Sequence, residues 1–276
     1  MDYFTVINLL PSVYHIEDPR GVYATLLIGA KQALLIDTAM GIGNLKKELE
    51  ELTNLPLTVV NTHGHPDHTL GNYLFPEIYL APEDWQLAKA ENTVSVKQHV
   101  LSLSNICPAD FNRKLYYDYQ YDNLIPLEPG TVFDLGGITV KAIPMPSHSQ
   151  GSVGFLCEEM QLLLSGDSIA PLVCLVFPES TDIDKHVAML EYVQGLQFKW
   201  ILSSHAARLI PKDEMKLYIE CAKSIDIHKS LNFKSSLFPD YEGKIFSYEN
   251  PANKGEFVFI AYVDIKIKRK DKRNRR

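Results

Sequence analysis

Four cysteines are few for a chain of 276 residues, and no two of them form a C-x-x-C pair. Cys107, Cys157, Cys174 and Cys221 lie far apart, three of them in apolar surroundings. That excludes a disulfide framework and a zinc knuckle, and the expectation is reduced, buried thiols. No apolar run approaches the roughly 20 residues that a membrane-spanning helix needs. Met1-Asp2-Tyr3-Phe4-Thr5 carries neither the basic stretch nor the apolar core of an export signal. The chain is therefore expected to be soluble and cytoplasmic, with no membrane partner. Low-complexity tracts and short-period repeats are also missing, which excludes a solenoid.

Positive charge is scarce in the body of the chain. The formal net charge is -7, yet residues 265–276 hold eight Lys or Arg against Asp271, a local balance of +7 that leaves about -14 for the rest. So acidic a body argues against a nucleic-acid partner. It leaves a small-molecule substrate as the expected one. The basic segment reads as a solvated C-terminal tail. The whole chain is 46% hydrophobic and 22% charged, the balance of a globular protein with a sizeable core, and residues 1–264 are expected to form one domain.

Alternating runs at Phe4–Leu9, Val13–Ile16, Tyr23–Ile28 and Ala33–Ile36 predict strands, separated by Pro19, Gly21 and Gly29. Asn44–Thr53 predicts an amphipathic helix. Further strands are expected at Leu57–Asn61, Ile78–Ala81, Thr131–Leu135, Ile138–Pro144, Val153–Cys157, Gln161–Leu164, Trp200–Leu202 and Phe257–Val263. Pro82 opens a helix through Ala90, and Ile183–Leu196 and Lys212–Ser224 predict two more. Residues 92–126, with Tyr116, Tyr117, Tyr119 and Tyr121, show no regular period. Strands followed by strand–helix alternation imply two sheets covered by helices.

The densest chemistry is His63-Gly64-His65-Pro66-Asp67-His68. Burying imidazole and carboxylate is costly unless something pairs with them, and a metal ion pairs with all of them at once. Five short apolar runs end in such residues. Leu34–Ile36 leads to Asp37, Leu57–Val60 to His63, Ile138–Ile143 to His148, Leu162–Leu164 to Asp167, and Trp200–Leu202 to His205. Buried strands are rigid, and their ends deliver side chains to a common crevice. Nitrogen and carboxylate donors suit zinc, iron and manganese. The expected grouping is His63, His65 and His148 on one ion, Asp67, His68 and His205 on a second, and Asp167 bridging the two. An open coordination position on each ion would mark a catalytic site rather than a structural one. Ser147, Ser149 and Ser152 beside His148 are not read as nucleophiles. His15, His99, His186 and His228 have no partners at ligand spacing and read as ordinary surface or helix residues.

These motifs, in this order over roughly residues 13–210, resemble the metallo-β-lactamase-fold hydrolases. The resemblance implies a four-layer αββα sandwich of two mixed β-sheets flanked by helices, with the site at one edge of the sheets. It implies that Asp37 orients the site without binding metal. It also implies two divalent ions, zinc first and iron or manganese as alternatives. His68 and Asp167 together set the chain apart from the first-class β-lactamases, and the glyoxalase II-like and lactonase-like branches fit best. Ser168–Phe177 contains no tyrosine where lactonases place one, and no basic pocket for glutathione is recognisable. The implied activity is hydrolysis of a small ester, thioester or lactone by hydroxide held between the ions, with Asp67 and Asp167 as catalytic residues. A metal-dependent phosphodiesterase, a di-iron redox protein and a non-catalytic binding module are the competing readings. Residues 116–121 are either packing or a lid over the metals that sets substrate choice.

Overall fold

The computed structural model describes residues 3–263 apart from Asn105. The basic tail expected at 265–276 lies outside these residues. Seven strands form the first sheet in chain order: β1 (Thr5–Leu10), β2 (Val13–Glu17), β3 (Tyr23–Ile28), β4 (Ala33–Ile36), β5 (Leu57–Val60), β6 (Ile78–Leu80) and β7 (Leu124–Pro126). The first four pair antiparallel as a meander, and β4 through β7 pair parallel. The second sheet begins with β8 (Val132–Asp134), β9 (Thr139–Pro144), β10 (Val153–Cys157) and β11 (Leu162–Gly166). The chain then leaves it for β12 (Leu172–Leu175) and returns through β13 (Trp200–Ser203) and β14 (Ile210–Pro211), giving the order β14-β13-β11-β10-β9-β8.

Helices close the outer faces. α1 (Leu45–Leu52) starts on Asn44, whose side chain accepts from Lys47 N–H, and buries Leu45 and Leu49. The short α2 (Pro66–Thr69) runs into a 3-10 turn at Leu70–Leu74. α3 (Trp85–Glu91), α4 (Val94–Leu103) and α5 (Arg113–Asp118) follow. α6 (Ile183–Gln194) and α7 (Met215–Lys223) sit over the second sheet. One apolar layer, with Leu27, Leu34, Val60, Phe155, Leu162 and Leu164, lies between the two sheets. A second joins the outer face of the first sheet to α1, and a third joins the second sheet to α6 and α7. This is the expected αββα sandwich.

Two regions depart from the sequence reading. Residues 92–126 are not irregular: α4 and α5 form there and bury Val100 and Tyr116 against the first sheet. Their periodicity is masked in the sequence by Ser95, Lys97, Gln98 and Ser102 among the apolar residues. The second departure is a third sheet, β12-β17-β16-β15, made of β12 with β15 (Leu231–Lys234), β16 (Glu242–Glu249) and β17 (Phe257–Tyr262). Only β17 was legible, because Val258, Ile260 and Tyr262 alternate inward. Strand β15 is mostly exposed and β16 is polar along much of its length, so neither gives an apolar period.

Candidate metal centre

The ends of β4, β5, β9, β11 and β13 meet at one edge of the two central sheets and bring all seven predicted site residues together. His63 Nε2 lies 3.1 Å from His65 Nδ1, which lies 2.8 Å from His148 Nε2. On the other side, His205 Nε2 is 3.1 Å from Asp167 Oδ2 and 3.5 Å from Asp67 Oδ2. His68 Nε2 is 3.4 Å from Asp167 Oδ1 and 3.5 Å from Asp67 Oδ2. Asp167 also reaches the first group, with Oδ2 3.6 Å from His148 Nε2. Three triads have donor atoms all within 4.8 Å of one another: His63, His65 and His148; His63, His68 and Asp167; Asp67, His68 and His205.

The outward ring nitrogens of four of the five histidines are committed elsewhere. His63 Nδ1 meets Thr62 Oγ1 at 3.0 Å, His65 Nε2 meets Glu179 Oε1 at 2.5 Å, and His148 Nδ1 meets the Cys174 carbonyl at 2.6 Å. His68 Nδ1 meets Asp37 Oδ2 at 2.9 Å. Such outer partners fix the tautomer and the aim of a ligating imidazole. Inside the cluster, His68 Nε2 and Asp167 Oδ1 are buried without a hydrogen-bond partner. Orphaned donors of this kind, aimed at a common centre, fit a divalent cation of the zinc, iron or manganese type.

Electrostatics in the absence of an ion agree. Burial opposes the charged forms of Asp67 and Asp167, but His68 and His205 hold both well below the usual carboxylate range. Burial likewise opposes protonation of His205, and Asp167 with Asp67 overcomes it, raising the imidazole to about 10. Burial, with neighbouring imidazoles, lowers His148 to about 4 and leaves His63 well below its ordinary value. His68 and His205 are thus pushed toward the charged form and His63 and His148 toward the neutral one, while Glu179 overcomes burial and raises His65.

Asp37 sits beneath the cluster in a left-handed backbone conformation, φ 64°. Its carboxylate accepts from Thr62 N–H and Oγ1, from Ser204 Oγ and from the His68 ring, so it joins the 62–68 segment to the loop of His205. Backbone strain at a fully buried aspartate is sustained by that set of bonds. Gly166, at φ +52°, lets β11 turn toward Asp167 where a Cβ would strike Thr62 at 2.7 Å.

Three supporting residues escaped the sequence reading. Asp84, within the stretch that Pro82 was expected to open as a helix, is buried and accepts from Gly64 N–H, Gly151 N–H and Ser149 Oγ at 2.8, 2.8 and 2.6 Å. It joins the loop of His63 and His65 to the loop of His148. Added Cβ atoms on Gly64 or Gly151 would fall within 3 Å of Asp84 atoms. Glu179, the partner of His65, follows β12, which the sequence did not reveal. His15 was read as an ordinary surface or helix residue, but it lies on β2, is fully buried, stacks on Tyr23 at 4.1 Å and bonds the Ala206 carbonyl next to His205.

His186, read as a surface or helix residue, lies on α6 with its ring buried and its Nδ1 2.6 Å from Ser147 Oγ. Among the cysteines, all free, Cys107 is exposed rather than buried. Ser147, Ser149 and Ser152 are buried in hydrogen bonds.

The tyrosine segment does not cover the cluster. Tyr116 and Tyr121 are buried, and Tyr121 OH donates to Thr69 Oγ1, which donates to the His65 carbonyl from behind. The cavity over the metal residues, about 320 Å³, is walled instead by residues 171–177 and 233–238 of the third sheet and its turn. From α4, His99 Nε2 holds the Leu237 carbonyl of that wall at 2.7 Å. No helix among the described residues is long and apolar enough to cross a membrane.

The metallo-beta-lactamase superfamily profile matches residues 18–205. The chain is 29% identical over 161 residues to "Acyl-coenzyme A thioesterase MBLAC2" of Homo sapiens, covering 52% of this chain and 57% of that protein. It is 27% identical over 139 residues to "Probable polyketide biosynthesis zinc-dependent hydrolase BaeB" of Bacillus velezensis, half of each chain. The chain thus spans about half the length of these curated relatives. Among solved structures, a metallo-beta-lactamase family protein of Thermus thermophilus aligns with TM-score 0.57 and 23% identity over 79% of this chain and 81% of that one. A metallo-beta-lactamase of Pontibacter korlensis aligns with TM-score 0.59 and 16% identity over 80% of this chain and all of that one.

Proposed function

The chain belongs to the metallo-beta-lactamase superfamily, and from that premise we propose that it is a binuclear metal-dependent hydrolase of small esters, thioesters or lactones. His63, His65 and His148 would hold one ion, Asp67, His68 and His205 the other, and Asp167 both. The single observation that carries this reading is the convergence of these donors around the unpartnered His68 Nε2 and Asp167 Oδ1. A relative named as zinc-dependent supports zinc, and one named as an acyl-CoA thioesterase supports attack at a carbonyl carbon. When bound, two divalent ions supply Lewis acidity and bring the ionisation of water near neutral pH.

The protein's own groups do the rest. Glu179, Cys174 carbonyl, Thr62 and Asp37 lock the imidazoles so that no reorganisation is needed during the reaction. Asp67, 3.5 Å from both His68 and His205, is placed to take a proton from water at Oδ2 and return it to the leaving group. Apolar side chains make up much of the lining over the cluster, with Lys234 as the one cation among the described lining residues besides the histidines, and leave few groups to hold a phosphodiester.

The test is metal quantification of the purified protein together with a panel of esters, thioesters, lactones and bis-phosphodiesters. The expected result is close to two ions per chain and chelator-sensitive turnover of the carbonyl substrates. Turnover that survives complete metal removal, or turnover of the phosphodiester alone, would overturn the reading.

A further inference from the structure

The wall of the cavity carries more information than its floor about what the site accepts. Its non-polar side is made by Leu172, Cys174, Phe177, Phe233, Leu237 and Phe238. Phe177 packs edge-on or tilted against the rings of His65 and His148 at 4.7 and 5.2 Å, so the apolar surface begins at the metal residues themselves. Leu172 at the other end is 38% exposed, so the same surface runs out to solvent. Tyr241 braces it by packing on Phe177 at 4.9 Å.

The polar groups of the cavity are arranged differently. The imidazoles and carboxylates sit together on the floor, and the other polar lining is Lys234, Ser235 and Ser236, two of them exposed. Among the described lining residues, the segment from Leu172 to Phe177 carries no charge of its own, and Lys234 is the one charged side chain outside the floor. A carboxylate placed there would lose hydration with nothing to replace it.

We propose, resting on the hydrolase reading above, that this wall is an acyl subsite: the substrate is an ester or thioester of an uncharged apolar acid. The carbonyl lies at the metal floor and the alkyl chain runs along Phe177, Cys174, Phe233 and Leu172. The leaving group points to the mouth beside Lys234. Each methylene fully buried along the wall raises kcat/KM by about fourfold, equivalent to about 0.8 kcal/mol. A cavity of about 320 Å³ is at the small end for ligand sites, so the gain stops at medium chain length.

The experiment uses the metal-loaded full chain and three thioesters of one neutral thiol, N-acetylcysteamine: acetyl, hexanoyl and succinyl. Hexanoyl is expected to exceed acetyl in kcat/KM by tenfold or more, and succinyl to fall below acetyl. Leu172→Asp and Phe233→Ser should each cut the hexanoyl-to-acetyl ratio at least fivefold. Calorimetric binding of hexanoate and succinate supplies a second readout that needs no turnover, with metal content and circular dichroism showing that the variants fold.

Equal rates for acetyl and hexanoyl, a preference for succinyl, or an unchanged ratio in both variants would overturn the acyl subsite while leaving the hydrolase standing. Selective hexanoate binding that both variants lose, without hydrolysis of any thioester or ester, would sustain the subsite and remove the hydrolase. Neither turnover nor selective binding would remove both.

Discussion

Floor and wall of the same cavity are built on opposite principles. The floor rests on five strand ends from two central sheets, and its histidines are tied outward by Thr62, Glu179, Cys174 and Asp37. Asp84 and His15 then tie the supporting loops to one another and to the first sheet. The wall rests on β12 of the third sheet and on β15 with the turn after it, where Leu231 is 73% exposed and α4 holds the turn through the His99–Leu237 bond. Chemistry that needs positions held within about half an ångström belongs on the first kind of support. Selectivity tolerates the second, because apolar contact is non-directional and forgives small shifts.

The comparison breaks most sharply at the bridging carboxylate. Asp167→Ala, like His63→Ala, should lower kcat/KM by on the order of a thousandfold or more and reduce metal content, read by elemental analysis beside kinetics. Retained turnover in both metal-depleted variants would show that the floor is not the reacting centre. Asp84→Ala touches neither metal nor substrate, yet it frees both histidine loops. A loss of about 10–100-fold in zinc affinity by chelator competition is expected, with most of the loss restored by Asp84→Glu or Asp84→Asn only if one acceptor suffices. Unchanged zinc affinity in Asp84→Ala would mean the loops hold their own shape.

The third prediction concerns pH. Burial lowers His15 to about 4 from its ordinary 6.5. The folded state therefore keeps this ring neutral while the unfolded chain protonates it. Its contribution is fully present above pH 6.5, is lost as pH falls toward 4, and then levels off, a span of roughly 3 kcal/mol. Urea titrations of His15→Gln across that window should show a shallower acid loss than the parent chain. Equal slopes would place the ring in water. The smallest effect is expected at the wall: His99→Ala releases the Leu237 carbonyl and should raise KM for hexanoyl thioester by about two- to fivefold, at the scale of one net hydrogen bond, with kcat within twofold. A larger fall in kcat than rise in KM would mean that the wall also serves the chemistry.

Legibility followed the same division. Asp37, His63, His148, Asp167 and His205 could be read because each closes a short apolar run, and a buried strand that ends in a metal-binding side chain has few innocent explanations. Asp84 could not be read, since Pro82-Glu83-Asp84 is an ordinary way to begin a helix, and only the approach of Gly151, 67 positions away, gives it three donors. Residues 92–126 misled because polar residues on a covering helix blur its period, and their tyrosines proved to pack behind the site rather than over it.

Most strands of the two central sheets, the two-sheet core and the set of imidazoles and carboxylates were determined by the sequence alone, because burial pattern and donor chemistry are local properties. Which histidines are interior, which aspartate braces two loops, and which segment forms the mouth of the cavity were decided by tertiary structure. Those outcomes depend on contacts between residues distant in the chain, such as His15 with Ala206 or His99 with Leu237, and no local pattern encodes them.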